Sequence, residues 1–109
     1  MTPAGGVPVE VVLRLPDWAV EHVAAAPTHF PDHEARMRFV LDAAAEHVRQ
    51  GTGGPFAAAV FQRGTGRLLA LGVNLVVPTD ACIAHAEMVA LALAGRAVGS
   101  FDLRPHDAE

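Results

Sequence analysis

The sequence predicts an α/β fold in helix–strand–strand–helix order behind an N-terminal arm, and three observations predict it. A helical period opens at Asp32, an apolar run after a glycine and proline cluster faces a second run across a short turn, and a second helix starts beside His85. At 109 residues the chain makes at most one domain, and a chain of that size buries only about two-thirds of the surface exposed when unfolded. Hydrophobic residues make up 51% of it and charged residues 18%. That is more apolar surface than so small a core needs, so some of it is expected to require cover from elsewhere.

Residues 1–31 mix glycine, proline and short apolar bursts without a single period, which suits an arm. A short helix is expected over 17–25, with Asp17 as its cap and Trp18, Val20 and Val23 docking it on a larger body. The next helix is clearer. Asp32 is its N-cap, Met37, Val40, Leu41, Ala44 and Val48 recur at helical spacing as the expected buried face, and Glu34, Arg38, Asp42, Glu46 and Arg49 form the polar one. Gly51 is the stop, followed by Thr52, Gly53, Gly54 and Pro55 as a breaker cluster.

Residues 56–61 are apolar at both parities, the pattern of a strand covered on both faces. A turn at 63–66 leads to a second strand expected over 67–77, closed by Pro78, Thr79 and Asp80. The last helix is expected from about Ala84 or His85 to a stop at Gly95. A doubly covered strand wants helices above and below it and a hydrogen-bonding neighbour on each edge, whereas one partner strand and two main helices are on offer. The polar stretch 103–109 lies just where another strand could begin. The fold is therefore expected to be incomplete, with the sheet open on one side.

A net charge of −4 and a pI near 5.8 provide no basic field for phosphate backbones, which disfavours nucleic acid as a partner and suits a small neutral ligand. The single cysteine, Cys82, excludes an internal disulfide. Neither a leader pattern nor a bilayer-spanning apolar run is present, so no membrane is expected and the setting is expected to be the reducing cytoplasm.

The chemistry concentrates at Cys82-Ile83-Ala84-His85-Ala86-Glu87-Met88. Side chains two apart in mid-helix point in nearly opposite directions, but at a first turn the chain is only entering helical geometry and the objection weakens. A neutral imidazole on a metal, beside a carboxylate that shuttles a proton, is a way to make hydroxide at neutral pH, since bound zinc lowers water's pKa to about 7. Taken singly, His85 reads as a capping histidine and Glu87 as a first-turn carboxylate favoured by the helix dipole. Cys82 reads as a small buried hydrophobe, and His22, His29, His33, His47 and His106 as surface or arm residues. The glycine cluster lacks the lysine and hydroxyl residue of a phosphate loop and reads as a turn that brings backbone close to something.

His85-Ala86-Glu87 resembles the first half of the H-x-E…P-C-x-x-C signature of the zinc-dependent nucleobase deaminases. Together with Gly53-Gly54-Pro55-Phe56-Ala57-Ala58-Ala59-Val60, then Gly72-Val73-Asn74, then the run on to Leu91, the chain resembles in order and spacing the bacterial guanine deaminases, nearest the subgroup that also accepts ammeline. The resemblance covers most of 34–103. It implies a cytidine deaminase-like three-layer α/β/α sandwich with a mixed five-stranded sheet, here truncated, and a protein that is usually a dimer.

Residue by residue, the resemblance implies that His85 is a zinc ligand and Glu87 the proton shuttle. It further implies that Asn74 hydrogen-bonds the base, that Phe56 is an aromatic wall against it, and that the Ala86 backbone N–H contacts a substrate carbonyl. Residues 32–109 are then the N-terminal portion of a deaminase domain and 1–31 its arm. The P-C-x-x-C half is absent, so the cysteine ligands are expected beyond residue 109 and turnover by this chain alone is expected to be negligible. The complete protein is expected to take guanine to xanthine and ammonia, or a related amino-heterocycle such as ammeline. The rival expectations are a relative of the tRNA adenosine deaminases, which share H-A-E, and a catalytically dead module that pairs with a full-length relative.

Overall fold

The structure, a computed structural model, describes residues 5–109, so the first four residues of the expected arm lie outside the described residues. Helix α1 spans Asp17–Ala25 as expected, but Pro16 and not Asp17 is its N-cap. The Pro16 carbonyl accepts from the N–H groups of Ala19 (2.9 Å) and Val20 (3.2 Å). Asp17 sits in the first turn and pairs with Arg14 at 3.0 Å. Trp18 and Val23 dock on the core, whereas Val20 is 48% exposed and the fully buried Ala19 takes the central place. A small side chain at the contact lets two helices approach closely.

Helix α2, His33–Arg49, starts where Asp32 predicts: the Asp32 carboxylate accepts from the Ala35 N–H at 2.8 Å. Its buried face is not the one that apolar periodicity selects. Met37, Leu41 and Val48 are 57%, 61% and 50% exposed, while Phe39, Ala43 and His47 are buried. Those three residues are also one ridge, at i, i+4 and i+8, hidden in the pattern because its last member is polar. An aromatic cluster decides between the ridges. His22 of α1 stacks on Phe39 (ring centroids 4.9 Å apart, planes at 19°), and Phe30 meets Phe39 at 5.1 Å and Phe61 at 5.3 Å. Each such pair is worth about 0.5–1.5 kcal/mol beyond the area it buries.

Strands β1 (Ala57–Phe61) and β2 (Leu68–Val73) form an antiparallel hairpin, in register from Ala57↔Val73 to Val60↔Ala70, with an irregularity between Val60 and Phe61. Phe56 stays outside β1, and β2 ends at Val73 rather than at 77. There Asn74 turns the chain, its Oδ1 accepting from the Val76 N–H at 3.0 Å, and Val76–Thr79 form the one-turn helix α3. A side chain that bonds the backbone two residues on competes directly with the strand ladder.

Both faces of the hairpin are covered, as the parity of β1 predicts. Phe61 and Leu71 pack with Phe39, Ala43 and α1 on one side, and Val60 and Ala70 with Ala90 and Ala94 of α4 on the other. Helix α4 runs Ala86–Val98 and passes the expected stop at Gly95. Gly99, at φ +71°, ends it instead, its N–H bonding the Gly95 carbonyl in a left-handed cap. Three layers result, with two strands in the middle.

At the far edge of β1, Phe61 and Glu109 exchange backbone hydrogen bonds at 2.7 Å each, and Arg36 pairs with the Glu109 carboxylate. A short antiparallel bridge, Gln62↔Ala108, thus lies where the sequence allows another strand to begin. Among the described residues no helix is long and apolar enough to cross a membrane.

At Gly72 two main chains meet with no room for a side chain. A Cβ there would lie 2.2 Å from the Ala86 carbonyl oxygen and 2.5 Å from the Ala90 nitrogen, so the first turns of α4 rest directly on the backbone of β2. Both obstacles are main chain and cannot swing aside. Gly72→Ala is expected to destabilise the chain by about 1–3 kcal/mol, the usual cost of overpacking a close-packed site. The check is the midpoint of urea unfolding followed by circular dichroism, where an unchanged midpoint would show that α4 can lift without loss.

Candidate active site

Antiparallel pairing of Ala57 with Val73 places the next residue outward on each strand, Phe56 and Asn74, at the same end of the hairpin. The two are joined there, the Asn74 N–H donating to the Phe56 carbonyl at 3.2 Å. One residue on, the Leu75 N–H donates to the Ala84 carbonyl at 2.8 Å, which draws the turn before α4 to this same end. His85 follows as the N-cap of α4, with Ala86 and Glu87 in its first turn. Five residues from three separate blocks of sequence therefore converge at one end of the hairpin.

Their local geometry differs. His85 is extended (φ −67°, ψ 154°), its carbonyl accepts the Val89 N–H at 2.9 Å, and its ring makes no capping bond and is exposed. Because His85 lies outside the helix proper, the opposed directions of residues two apart in a helix do not apply to it and Glu87. Glu87 is exposed at the end of α4 where unpaired N–H groups favour negative charge. Ala86 is buried, with its backbone carbonyl against Gly72 of β2. Phe56 is 59% exposed, free to present a ring face. Asn74 is half-buried, and with Oδ1 engaged by Val76 its Nδ2 donors have no protein partner among the described residues. Asn74 thus ends the strand and keeps its donors available.

Cys82 is a free thiol and exposed, on the turn that leads into His85, and not the buried hydrophobe that its neighbours suggest. Among the described residues no group of three or more His, Cys, Asp and Glu side chains is placed to hold a metal ion. A zinc site needs about four ligands, or three and a water. One histidine at a helix start does not meet that need, so the described residues do not fit a zinc ion by themselves.

Sequence reasoning missed one residue altogether. His47, expected at the surface, is completely buried, and its Nε2 lies 2.8 Å from the Asn74 carbonyl oxygen. The available signal was its place on the Phe39 and Ala43 ridge, directly ahead of the glycine cluster. His22 is also partly buried, stacked on Phe39, whereas His29 and His33 are exposed as expected.

The chain belongs to a family of zinc-binding deaminases: the family model described as the cytidine and deoxycytidylate deaminase zinc-binding region matches residues 31–108. Within that class it is similar to the guanine deaminase of Bacillus subtilis (strain 168), at 33% identity over 72 residues that make up 66% of this chain and 45% of that protein. It is also similar to the solved guanine deaminase from Nitrosomonas europaea, with a TM-score of 0.78 and 38% identity over 91% of this chain and 53% of the other. The structure of NE0047 in complex with 2,6-diaminopurine superposes with a TM-score of 0.77 at 41% identity, covering 84% of this chain and 48% of that one. A variant of NE0047 has been solved in complex with 8-azaguanine. The chain spans about half the length of these relatives. Its three layers are the cytidine deaminase-like arrangement expected from the sequence, with two of the strands present.

Isothermal titration of the 109-residue chain with zinc is expected to show no tight one-to-one binding. A tight isotherm abolished by His85→Ala would show instead that the described side chains complete a site.

Proposed function

We propose that this chain forms the substrate-facing N-terminal part of a zinc-dependent deaminase that hydrolyses guanine to xanthine and ammonia, with ammeline or another flat amino-heterocycle as the alternative substrate. The observation that carries this is the meeting of Phe56, Asn74 and His85-Ala86-Glu87 at one end of the hairpin. It is supported by the purine analogues bound to NE0047, which superposes on the same fold.

In this proposal the exposed Phe56 ring stacks on the heterocycle, whose π face it matches. The Asn74 Nδ2 donates to the base, and the Ala86 N–H, in the first turn of α4, donates to a substrate carbonyl. His85 supplies one zinc ligand, and the remaining ligands are cysteines from outside these 109 residues. Glu87 takes a proton from the attacking water and gives it to the ring nitrogen as the C–O bond forms, then carries the proton of the new hydroxyl to the exocyclic amine, so that the C–N bond breaks, ammonia leaves and the new oxygen becomes a carbonyl. A free base is the substrate, not a nucleic acid, in keeping with the net charge of −4.

The protein works in the cytoplasm as a homodimer. Support for pairing comes from the exposed apolar side chains Met88, Leu91 and Phe101 along the open groove beside α4, Phe101 being 99% exposed.

The test is ammonia release from guanine by the complete protein of the natural gene, with Glu87→Gln expected to lower kcat about 100-fold to 10,000-fold, the usual worth of a general acid–base group. Full activity in that variant would remove Glu87 from the chemistry. Asn74→Ala is expected to raise KM for guanine about tenfold by removing a hydrogen bond to the base, measured in the same assay.

A further inference from the structure

We propose that His47 is a positioning residue for Asn74, and that through it helix α1 takes part in the purine site. This rests on the role of Asn74 put forward above, although the geometry that suggests it does not. Both nitrogens of the buried His47 ring are engaged. Nε2 lies 2.8 Å from the Asn74 carbonyl oxygen and Nδ1 2.7 Å from Thr52 Oγ1, while the indole N–H of Trp18 donates to the same Thr52 oxygen at 2.8 Å. The chain of contacts runs from α1, through the loop after α2, to the residue that ends β2.

The chemistry of the groups fixes one proton and the distances select the place of the next. A carbonyl only accepts, so Nε2 carries a ring hydrogen. An indole N–H only donates, so Thr52 accepts from Trp18, and its own hydroxyl proton has two acceptors in reach, His47 Nδ1 at 2.7 Å and the His47 carbonyl at 3.2 Å. Donation along the shorter contact makes His47 the Nε2–H tautomer, the form this proposal requires. Buried polar groups left unmatched would each cost free energy, so this set holds its geometry tightly.

Two further contacts tie the network to the site. A Cβ on Gly53 would lie 2.2 Å from His47 Nε2 and 3.0 Å from the Asn74 oxygen, so the loop leading to Phe56 lies directly against the His47–Asn74 bond. Asn74 is then held at its carbonyl by His47, at its N–H by the Phe56 carbonyl and at Oδ1 by Val76. Only the Nδ2 amide is left to face a ligand. Removing the His47 donor frees the Asn74 backbone without substituting any residue proposed to touch the base.

The first measurement is the His47 tautomer in the 109-residue chain, by long-range proton–nitrogen NMR, together with hydrogen exchange of the Asn74 amide. The expected result is the Nε2–H form with a slowly exchanging ring proton and a protected Asn74 amide. Protection should survive in His47→Gln, whose amide can donate to Asn74 and accept from Thr52, and drop in His47→Met. An Nδ1–H form, or Asn74 protection equal in the two variants, overturns the proposal whatever the protein's substrate is. If His47→Met does not fold, Trp18→Phe, which keeps an aromatic ring and loses the N–H, takes its place and should lower the protection less.

In the complete protein, His47→Met is expected to raise KM for guanine about tenfold with a smaller change in kcat, and His47→Gln to restore it. An unchanged KM in an active His47→Met enzyme also overturns the proposal. If the unaltered complete protein releases no ammonia from guanine, the deaminase assignment fails while the NMR result still decides whether His47 positions Asn74.

Discussion

Backbone contact between α4 and β2 at Gly72 sets the height of everything at the site. His85, Ala86 and Glu87 sit at the start of α4, and the Ala86 carbonyl and the Ala90 nitrogen occupy the space where a β2 side chain would otherwise stand. Ala86, Ala90 and Ala94 continue the close approach along the helix. At Gly72 main chain meets main chain with no side chain between them that can repack, so the start of α4 has one depth over the sheet and not a range of depths. The exposed histidine and glutamate are thereby presented at the start of a rigid element, a better support than a free loop for the roles proposed for them.

Lateral placement comes from three hydrogen bonds around Asn74, two between backbone groups and one from the His47 side chain. Asn74 to Phe56, Leu75 to Ala84 and His47 to Asn74 stitch the loop before β1, the end of β2, the turn before α4 and the end of α2 into one small region. Apart from His47, which lies in the last turns of α2, these residues are outside regular structure, yet each is within two residues of a strand or helix. Placing reactive residues just outside the ends of rigid elements combines accessibility with order.

The surplus of apolar residues seen in the composition is visible on the surface. Met37, Leu41 and Val48 of α2, Met88 and Leu91 of α4, and Phe101 beyond it are all about half exposed or more. Met37 lines a groove beside β1, Met88, Leu91 and Phe101 line another beside α4, and the relatives of this chain are about twice its length. Patches of this kind mark surfaces that another body covers. The core that is present is correspondingly small, split into clusters on either side of two strands and held in part by aromatic contacts among His22, Phe30, Phe39 and Phe61.

From sequence alone, local chemistry determined α1 over residues 17–25, the Asp32 cap, the hairpin and the double cover of β1, because caps, turns and parity are short-range properties. Order and spacing of three short blocks determined the family. The buried face of α2 was decided only by tertiary structure, since two ridges compete on that helix and the aromatic cluster with α1 selects the one ending in a histidine. The end of β2 at Asn74 and the passage of α4 beyond Gly95 were decided in the same way, by a side-chain bond to Val76 and by a left-handed Gly99. His47 marks the difference most sharply: histidine is intermediate in its tendency to be buried, so its type alone leaves its depth open. Only a fold that brings Thr52, Trp18 and the Asn74 carbonyl around its ring can satisfy it in the interior.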